Sequence, residues 1–230
     1  MLSYGTPNTE YVRGWRKRTD DNRPMWAVNL MRYHPVAKYP DGRATILSGR
    51  EADDLYAPHE ELAQVGAASV LRATVVHQLV GDGARWDRVA IARYPSRVAQ
   101  LDMQALPAFQ ERHVHKIAGM DFTIVLATFR PDGAAPPPAD VDEAPMLLMQ
   151  AVADRDAPDL AADLDSTPVA VLDVEDTIIG DARKYAQVRW HMLSATVGDQ
   201  LRSRRRVDHP VDYTLLLTPE RSSFGKALAE

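Results

Sequence analysis

One β-rich segment occurs twice in this chain, about a hundred residues apart. Residues 81–96 read GDGARWDRVAIARYPS, and residues 180–194 read GDARKYAQVRWHMLS. Each copy begins with a Gly-Asp turn, passes through an aromatic residue into an apolar strand and ends on a serine suited to cap a helix. A second internal match pairs DFTIVLAT, from Asp121, with DYTLLLT, from Asp212. The chain is therefore predicted to contain two copies of one structural unit.

The segments between these matches predict the order β-α-β-β-α-β in each half. In the first half, strands are expected over residues 25–34, 68–80, 88–94 and 121–129. Its helices begin at the caps Ser48 and Ser96 and are interrupted at Pro58 and Pro107. In the second half, strands are expected over 145–153, 169–179, 185–193 and 212–218, with helices over 156–164 and 194–206. This order defines a ferredoxin-like unit, so the predicted class is α+β.

Two such units explain how the chain buries its apolar surface. Helices cover only one face of a ferredoxin-like sheet, and the other face must also be buried. Packing the two bare faces together gives a pseudo-dimeric α+β barrel within one chain and leaves a homodimer of such chains open. The predicted parts are an N-terminal arm, either loose or packed across the second unit, then the first unit, a Pro/Ala/Asp linker, the second unit and a tail. Their bounds are residues 1–24, 25–130, 131–145, 146–219 and 220–230.

Composition and motifs exclude several classes of function. A net charge of −5 argues against nucleic acid as the main partner. The lack of cysteine excludes disulfides and thiol catalysis and fits a cytoplasmic protein. No apolar run approaches the roughly 20 residues that span a membrane. Nucleotide-binding and metalloprotease motifs are also missing. The expected partner is a small-molecule substrate.

Polar residues facing the space between sheet and helices are the candidates for a site. His113 follows Phe109 by one turn, and its neutral imidazole suits a base or an iron ligand as well as a hydrogen-bonded core position. His59 shares a helix face with Leu55, which directs it towards the same cavity. Asn29, on the first strand, suits the positioning of a carbonyl or dioxygen-derived oxygen, or the satisfaction of backbone groups.

Arginines on apolar strands are candidates for binding an anionic oxygen, because the guanidinium group offers a bidentate fork. Arg93 is predicted to be an anion clamp and Arg72 a substrate contact. The other predicted substrate contacts are Tyr56, Met31, Met103 and Phe109. In the second unit, cross-strand pairing is favoured over an acid–base cluster for Asp173, Glu175, Asp176, Arg189 and His191. The cavity is therefore assigned to the first unit.

Four motifs of the first unit resemble a bacterial domain-of-unknown-function family in the dimeric α+β-barrel superfamily. They are Val28-Asn29-Leu30, Ser48-Gly49-Arg50-Glu51-Ala52, Trp86-Asp87 and Arg93-Tyr94-Pro95-Ser96. The second unit matches only in element order and is interpreted as a diverged copy. The superfamily includes haem-degrading and cofactor-free monooxygenases, chlorite dismutases and muconolactone isomerases. The resemblance thus implies the fold and leaves the reaction open.

Haem-degrading relatives place an Asn on the first strand, a Trp in the second helix and a haem-ligating His near the end of that helix. The matching positions here are Asn29, Met103 and His113, so the tryptophan is missing. The leading hypothesis is an enzyme without a cofactor that oxygenates, isomerises or dehydrates an apolar, oxygenated metabolite. In it His113 and His59 are acid–base groups and Asn29 positions an oxygen. The alternatives are a haem enzyme with His113 as ligand and a non-catalytic binding module.

Overall fold

Eight antiparallel strands close into a barrel in the computed structural model, which describes residues 4–19, 23–83 and 85–230. The predicted α+β class and the pseudo-dimeric barrel are thereby confirmed. Parts of the predicted arm, residues 1–3 and 20–22, lie outside the described residues. No helix in the described ranges is long and apolar enough to cross a membrane.

The arm and the first unit supply the first half of the elements. The arm contains the short strand β1 (Thr6–Pro7) and helix α1 (Thr9–Gly14). The strands of the first unit are β2 (Met25–Tyr33), β3 (Ala68–Val80), β4 (Arg88–Tyr94) and β5 (Met120–Phe129). Its helices are α2 (Gly49–Tyr56), α3 (His59–Gln64), α4 (Arg97–Ala105) and α5 (Pro107–Gly119).

The second unit supplies the remaining elements. Its strands are β6 (Met146–Val152), β7 (Ser166–Gly180), β8 (Gln187–Leu193) and β9 (Tyr213–Ser222). Its helices are α6 (Ala195–Arg202) and α7 (Phe224–Ala229). The serine caps are confirmed: the side chains of Ser48, Ser96 and Ser194 accept backbone hydrogen bonds from Glu51, Ala99 and Val197.

Two predicted elements of the second half are wrong. Residues 156–164 form turns instead of a helix, because Asp154 and Asp159 each accept a hydrogen bond from the backbone two residues on, which competes with helix formation. Residues 220–230 are not a tail. Strand β9 continues to Ser222, and Phe224 of α7 packs between Trp26 and Trp190 inside the barrel, with ring centres 5.9 and 5.3 Å away.

The strand order around the barrel is β7-β5-β2-β4-β3-β9-β6-β8, and β8 pairs with β7 to close it. The two units meet at the β5–β7 and β3–β9 pairs. The arm is packed rather than loose: Thr6 pairs with Gly180, and the amide of Asn8 donates to the carbonyl of Ile178 on β7 at 2.9 Å. Of the two alternatives for the arm, the structure shows the packed one.

Alternation along β2 creates two separate apolar layers. Trp26, Val28 and Leu30 point into the barrel and join its core. Ala27 and Asn29, with the side chains that alternate with them, point outward, beneath the helices of the first unit. The space under the helices therefore lies outside the barrel, on the face that the sequence assigns to the site.

Candidate functional site

Two glycines bring helices α2 and α5 into close contact above the sheet. A Cβ atom on Gly49 would lie 2.3 Å from the carbonyl oxygen of Gly119 and 2.7 Å from that of His34. The backbone of His34 joins both helix ends, because its amide donates to Gly119 and its carbonyl accepts from Gly49, each at 2.9 Å. This contact fixes the relative position of α2 and α5, the two helices that cover the site.

A cavity of about 140 Å³ lies beneath these helices and the outer faces of β2, β4 and β5. Its apolar wall is formed by Ala27, Met31, Leu62, Met103, Phe109 and Val125. Its polar and charged lining residues are Tyr4, Asn29, Asp53, Tyr56, His59, Ser69, Arg72, Tyr94, Gln100, Gln104, His113, Lys116 and Arg221. An apolar cavity of about 150 Å³ admits benzene, so this one suits a ligand of about one ring.

His113 is held in the cavity wall by aromatic side chains. Its Nε2 atom is 2.8 Å from the hydroxyl of Tyr4, and the ring of Phe109 stacks on the imidazole with centres 5.4 Å apart. Burial, with a smaller contribution from the charge of Lys116, lowers the pKa of His113 to about 4. The imidazole is therefore neutral at pH 7.

Three tyrosines give the cavity uncharged hydroxyl groups. Burial raises the pKa of Tyr4, Tyr56 and Tyr94 above the ordinary value, so all three stay protonated. The hydroxyl of Tyr94 contacts the sulfur of Met103 at 3.5 Å. Within the described residues, the hydroxyl of Tyr56 makes no hydrogen bond. It is therefore available to a ligand.

His59 lies at the rim instead of inside the cavity. It is the first residue of α3 and is exposed, and Leu55, on the same predicted stripe, is 50% exposed. The break at Pro58 rotates α3 relative to α2, so the single stripe expected for one continuous helix does not form. Partial burial and the charges of Arg221 and Arg72 lower the pKa of His59. It faces the cavity entrance as a neutral group.

Arg72 lines the cavity but is already paired with carboxylates. It lies 3.1 Å from Glu220 and 3.2 Å from Asp54. Arg88, which is only 1% exposed, contacts the same two acids and also Asp53, at 3.1, 2.9 and 3.1 Å. This network closes one end of the cavity and holds α2 to the barrel.

Arg93 does not reach the cavity. The neighbouring Ala92 and Tyr94 line it, so Arg93 points to the opposite side of β4. There its guanidinium lies 3.4 Å from Glu230 and 5.6 Å from the ring centre of Trp26. The prediction that Arg93 clamps a substrate anion in this cavity is therefore wrong.

The other predicted contacts are together at the cavity. Asn29 lines it and donates one amide hydrogen to the carbonyl of Ala27 at 3.0 Å, which leaves a second hydrogen for a ligand. Met31, Tyr56, Met103 and Phe109 line it as well.

The polar residues of the second unit are dispersed among separate partners. Asp173 contacts Arg155 at 2.6 Å, and Glu175 pairs with Arg97 of the first unit. Asp176 contacts Lys184 at 2.7 Å. The guanidinium of Arg189 donates to the carbonyls of Arg155 and Ala157, and His191 lies 3.2 Å from Asp159. These residues form no shared acid–base site.

Sequence reasoning missed Tyr4 and Lys116. Tyr4 belongs to the arm, and only the pairing of the arm with β7 brings it to His113. Lys116 follows His113 by three residues, which is the spacing of neighbours on one helix face. That spacing was the available signal for Lys116, whereas the pattern around Tyr4 contains none.

The sequence matches no protein-family model. No curated protein matches it either. Among solved structures, the methylated RPA0582 protein is 28% identical with a TM-score of 0.51, and the match covers 59% of this chain and 100% of that one. A second structure of RPA0582, a protein of unknown function from Rhodopseudomonas palustris, is 27% identical with a TM-score of 0.48, over 56% of this chain and 99% of that one. A mutant chlorite dismutase from Candidatus Nitrospira defluvii is 11% identical with a TM-score of 0.44, over 97% of this chain and 100% of that one.

The match to the methylated RPA0582 protein and the barrel topology agree on the class of fold. The chain forms an α+β barrel with both halves of the barrel in one polypeptide. The likeness to chlorite dismutase has too low an identity and score to carry an inference about reaction or cofactor.

A haem bound through His113 would need a free imidazole nitrogen beside a large open space. Here Nε2 is hydrogen-bonded to Tyr4, and Phe109 covers one face of the ring. His113 also lines a second cavity, of about 480 Å³, together with Tyr4 and Phe109, so the space beside it does not by itself exclude a large ligand. While Nε2 is hydrogen-bonded to Tyr4, it is not available to ligate a haem iron.

Haem titration is therefore expected to give no Soret band that depends on His113. The measurement is an absorption spectrum of wild type and His113→Ala, before and after adding haem. A band in the wild type that shifts or disappears in His113→Ala would contradict this expectation and make His113 a haem ligand.

Proposed function

We propose that this chain is an enzyme that isomerises a ring-sized, apolar carbonyl compound by moving a proton within it. The observation that carries the proposal is the neutral imidazole of His113, hydrogen-bonded to the Tyr4 hydroxyl in the wall of a cavity with a mainly apolar lining. A buried neutral base beside a phenol suits proton transfer between two atoms of one ligand. Isomerisation needs no co-reactant, which distinguishes it from oxygenation among the reactions considered above.

The proton moves through the Tyr4–His113 pair in both directions. When a carbon next to the ligand carbonyl loses a proton to the Tyr4 oxygen, Tyr4 passes its own hydrogen to Nε2. The electron pair left on the ligand spreads onto the carbonyl oxygen, which the hydroxyl of Tyr56 and the second amide hydrogen of Asn29 can bind. Return of the proton from Nε2 through Tyr4 to a different carbon completes the reaction with no net change in the protein.

The low basicity of His113 limits the substrates. An imidazole with a pKa of about 4 is a weak base, so the carbon acid must be activated. A proton placed between a carbonyl group and a carbon–carbon double bond meets this requirement. The substrate class is therefore a β,γ-unsaturated ketone or a compound of similar acidity.

Cyclohex-3-enone tests the proposal because it has one ring, and its isomerisation to cyclohex-2-enone is followed by the absorbance of the conjugated product. We expect the wild type to accelerate this conversion. His113→Gln and Tyr4→Phe are expected to lose about 100-fold of that acceleration, the lower end of typical general acid–base contributions.

His115→Gln is the matched control. His115 lies on the same helix and is hydrogen-bonded to Tyr39 at 2.8 Å, but it does not line the cavity. Its substitution is expected to leave the rate unchanged. Saturable binding of the ketone without acceleration would favour the binding module, and equal rates for wild type and His113→Gln would refute the proposal.

A further inference from the structure

Lys116 is a cavity residue that the proton-transfer step does not use. It follows His113 by one turn of α5, and its Nζ atom lies 5.1 Å from the ring centre of Tyr56. Among the described residues, no carboxylate lies within 4 Å of this amine. The acid whose charge acts on it, Asp53, is already bonded to Arg88 at 3.1 Å and to Tyr33 at 2.7 Å. The amine therefore lies in the cavity with no carboxylate of the described residues in ion-pair contact, although Asp53 lines the same cavity.

This environment differs from that of the other four lysines. Lys17, Lys38, Lys184 and Lys226 are all exposed, and Lys184 pairs with Asp176. Burial lowers the pKa of Lys116, against a smaller opposing effect of the Asp53 charge. An amine that is desolvated in this way spends more time neutral and nucleophilic than an exposed one.

We infer that Lys116 is a covalent site that condenses with the carbonyl group of a ring-sized aldehyde or ketone bound in the cavity. The inference rests on the proposed function in one respect, since it takes the same cavity and the same carbonyl class of ligand. It adds a residue and a reaction that proton transfer alone does not require.

The condensation balances without any further reactant. The lone pair of neutral Nζ forms a bond to the carbonyl carbon, and the carbon–oxygen π pair moves to oxygen. A proton then passes from nitrogen to that oxygen, giving a carbinolamine, and His113 is one turn away to relay it. Loss of the hydroxyl group and the remaining nitrogen proton as water leaves an imine. The overall change is amine plus carbonyl compound to imine plus water.

Reductive trapping tests the inference without an activity assay. The intact wild-type protein is incubated with benzaldehyde and sodium cyanoborohydride at pH 7, and the hydride converts any iminium ion into a stable benzylamine. Intact mass and peptide mapping then locate the adduct. We expect the first benzyl group on Lys116, and its loss in both Lys116→Met and Lys116→Arg, while Lys184→Arg retains it.

The outcomes separate this inference from the proposed function. Adducts spread over the four exposed lysines, with Lys116 unmodified, would overturn the inference, and peptide mapping of the wild type gives this answer even if a variant does not fold. Isomerisation of cyclohex-3-enone without a Lys116 adduct would overturn the inference alone. Trapping at Lys116 without isomerisation would support the covalent site and refute the proton-transfer function.

Discussion

Arg88→Met is expected to lower the free energy of unfolding by about 3–5 kcal/mol, the cost of removing one partner from a buried ion pair. Arg88 is 1% exposed, and its guanidinium binds Asp53, Asp54 and Glu220. Methionine fills similar space but leaves Asp53 without its arginine partner, while Asp54 and Glu220 retain Arg72. Urea denaturation at pH 7 measures the change.

Arg202→Met is the control for Arg88→Met. Arg202 is about half exposed, and its one ion pair among the described residues is with Asp199, at 3.6 Å on the same helix. Such surface ion pairs contribute between about 0 and 1 kcal/mol to the free energy of unfolding. If Arg88→Met were no more destabilising than Arg202→Met, the Arg88 network would not be what holds α2 against the barrel.

Gly49→Ala is expected to destabilise the fold by about 3 kcal/mol, the upper end of the usual cost of overpacking. The new methyl group would meet three backbone atoms within 3 Å, belonging to Gly119 and His34. Backbone cannot move aside as a flexible side chain can, so α2 and α5 must separate. Because these helices roof the cavity, ligand binding should weaken together with stability.

Gly14→Ala is the matched substitution for Gly49→Ala. Gly14 ends helix α1, and a Cβ atom there would meet nothing within 4 Å. Alanine favours the helix over glycine by up to about 1 kcal/mol, so this variant is expected to be neutral or slightly more stable. Thermal unfolding of both variants, followed by circular dichroism, makes the comparison. Equal midpoints would contradict the close helix contact.

The barrel could be predicted from the repeat because the signals that define each unit are local. A hairpin between two apolar strands is specified by the few residues of its turn. The Gly-Asp turn at Gly81 and the cap at Ser96 each depend on a few neighbouring residues. The helix expected over 156–164 shows the limit of this reasoning. The repeated order of elements predicted a helix there, but local hydrogen bonds to Asp154 and Asp159 favour turns instead.

The site was predictable where it depended on strand and helix periodicity. His113, Phe109, Asn29 and Met31 were placed correctly by alternation and helical spacing. The position of Arg93 was predicted incorrectly, because the face of β4 on which it lies depends on the strand register, which composition does not reveal.

Contacts between residues that are distant in sequence were also not predictable from the sequence. The Tyr4–His113 bond joins residues 109 positions apart. Likewise, Phe224 enters the barrel because Asp142, in the predicted linker, accepts hydrogen bonds from the first turn of α7 at 2.9 Å.

The pKa of His113 also affects stability. It is about 4 in the folded chain and about 6.5 in an unfolded chain. Between these values the unfolded state binds more protons, so stability falls as pH decreases through this window, by at most about 3 kcal/mol. His113→Gln should remove this part of the pH dependence and leave the contribution of the carboxylates.

The proposed function depends on a neutral His113 imidazole in the wall of a ligand cavity. Imidazole NMR signals, recorded from pH 7 to pH 4 with and without cyclohex-2-enone, observe this state directly. We predict that His113 stays neutral until the pH approaches about 4 and that its signals shift with the ketone, while those of His115 do not. Titration of His113 near its ordinary pKa of about 6.5, with no response to the ketone, would contradict the account.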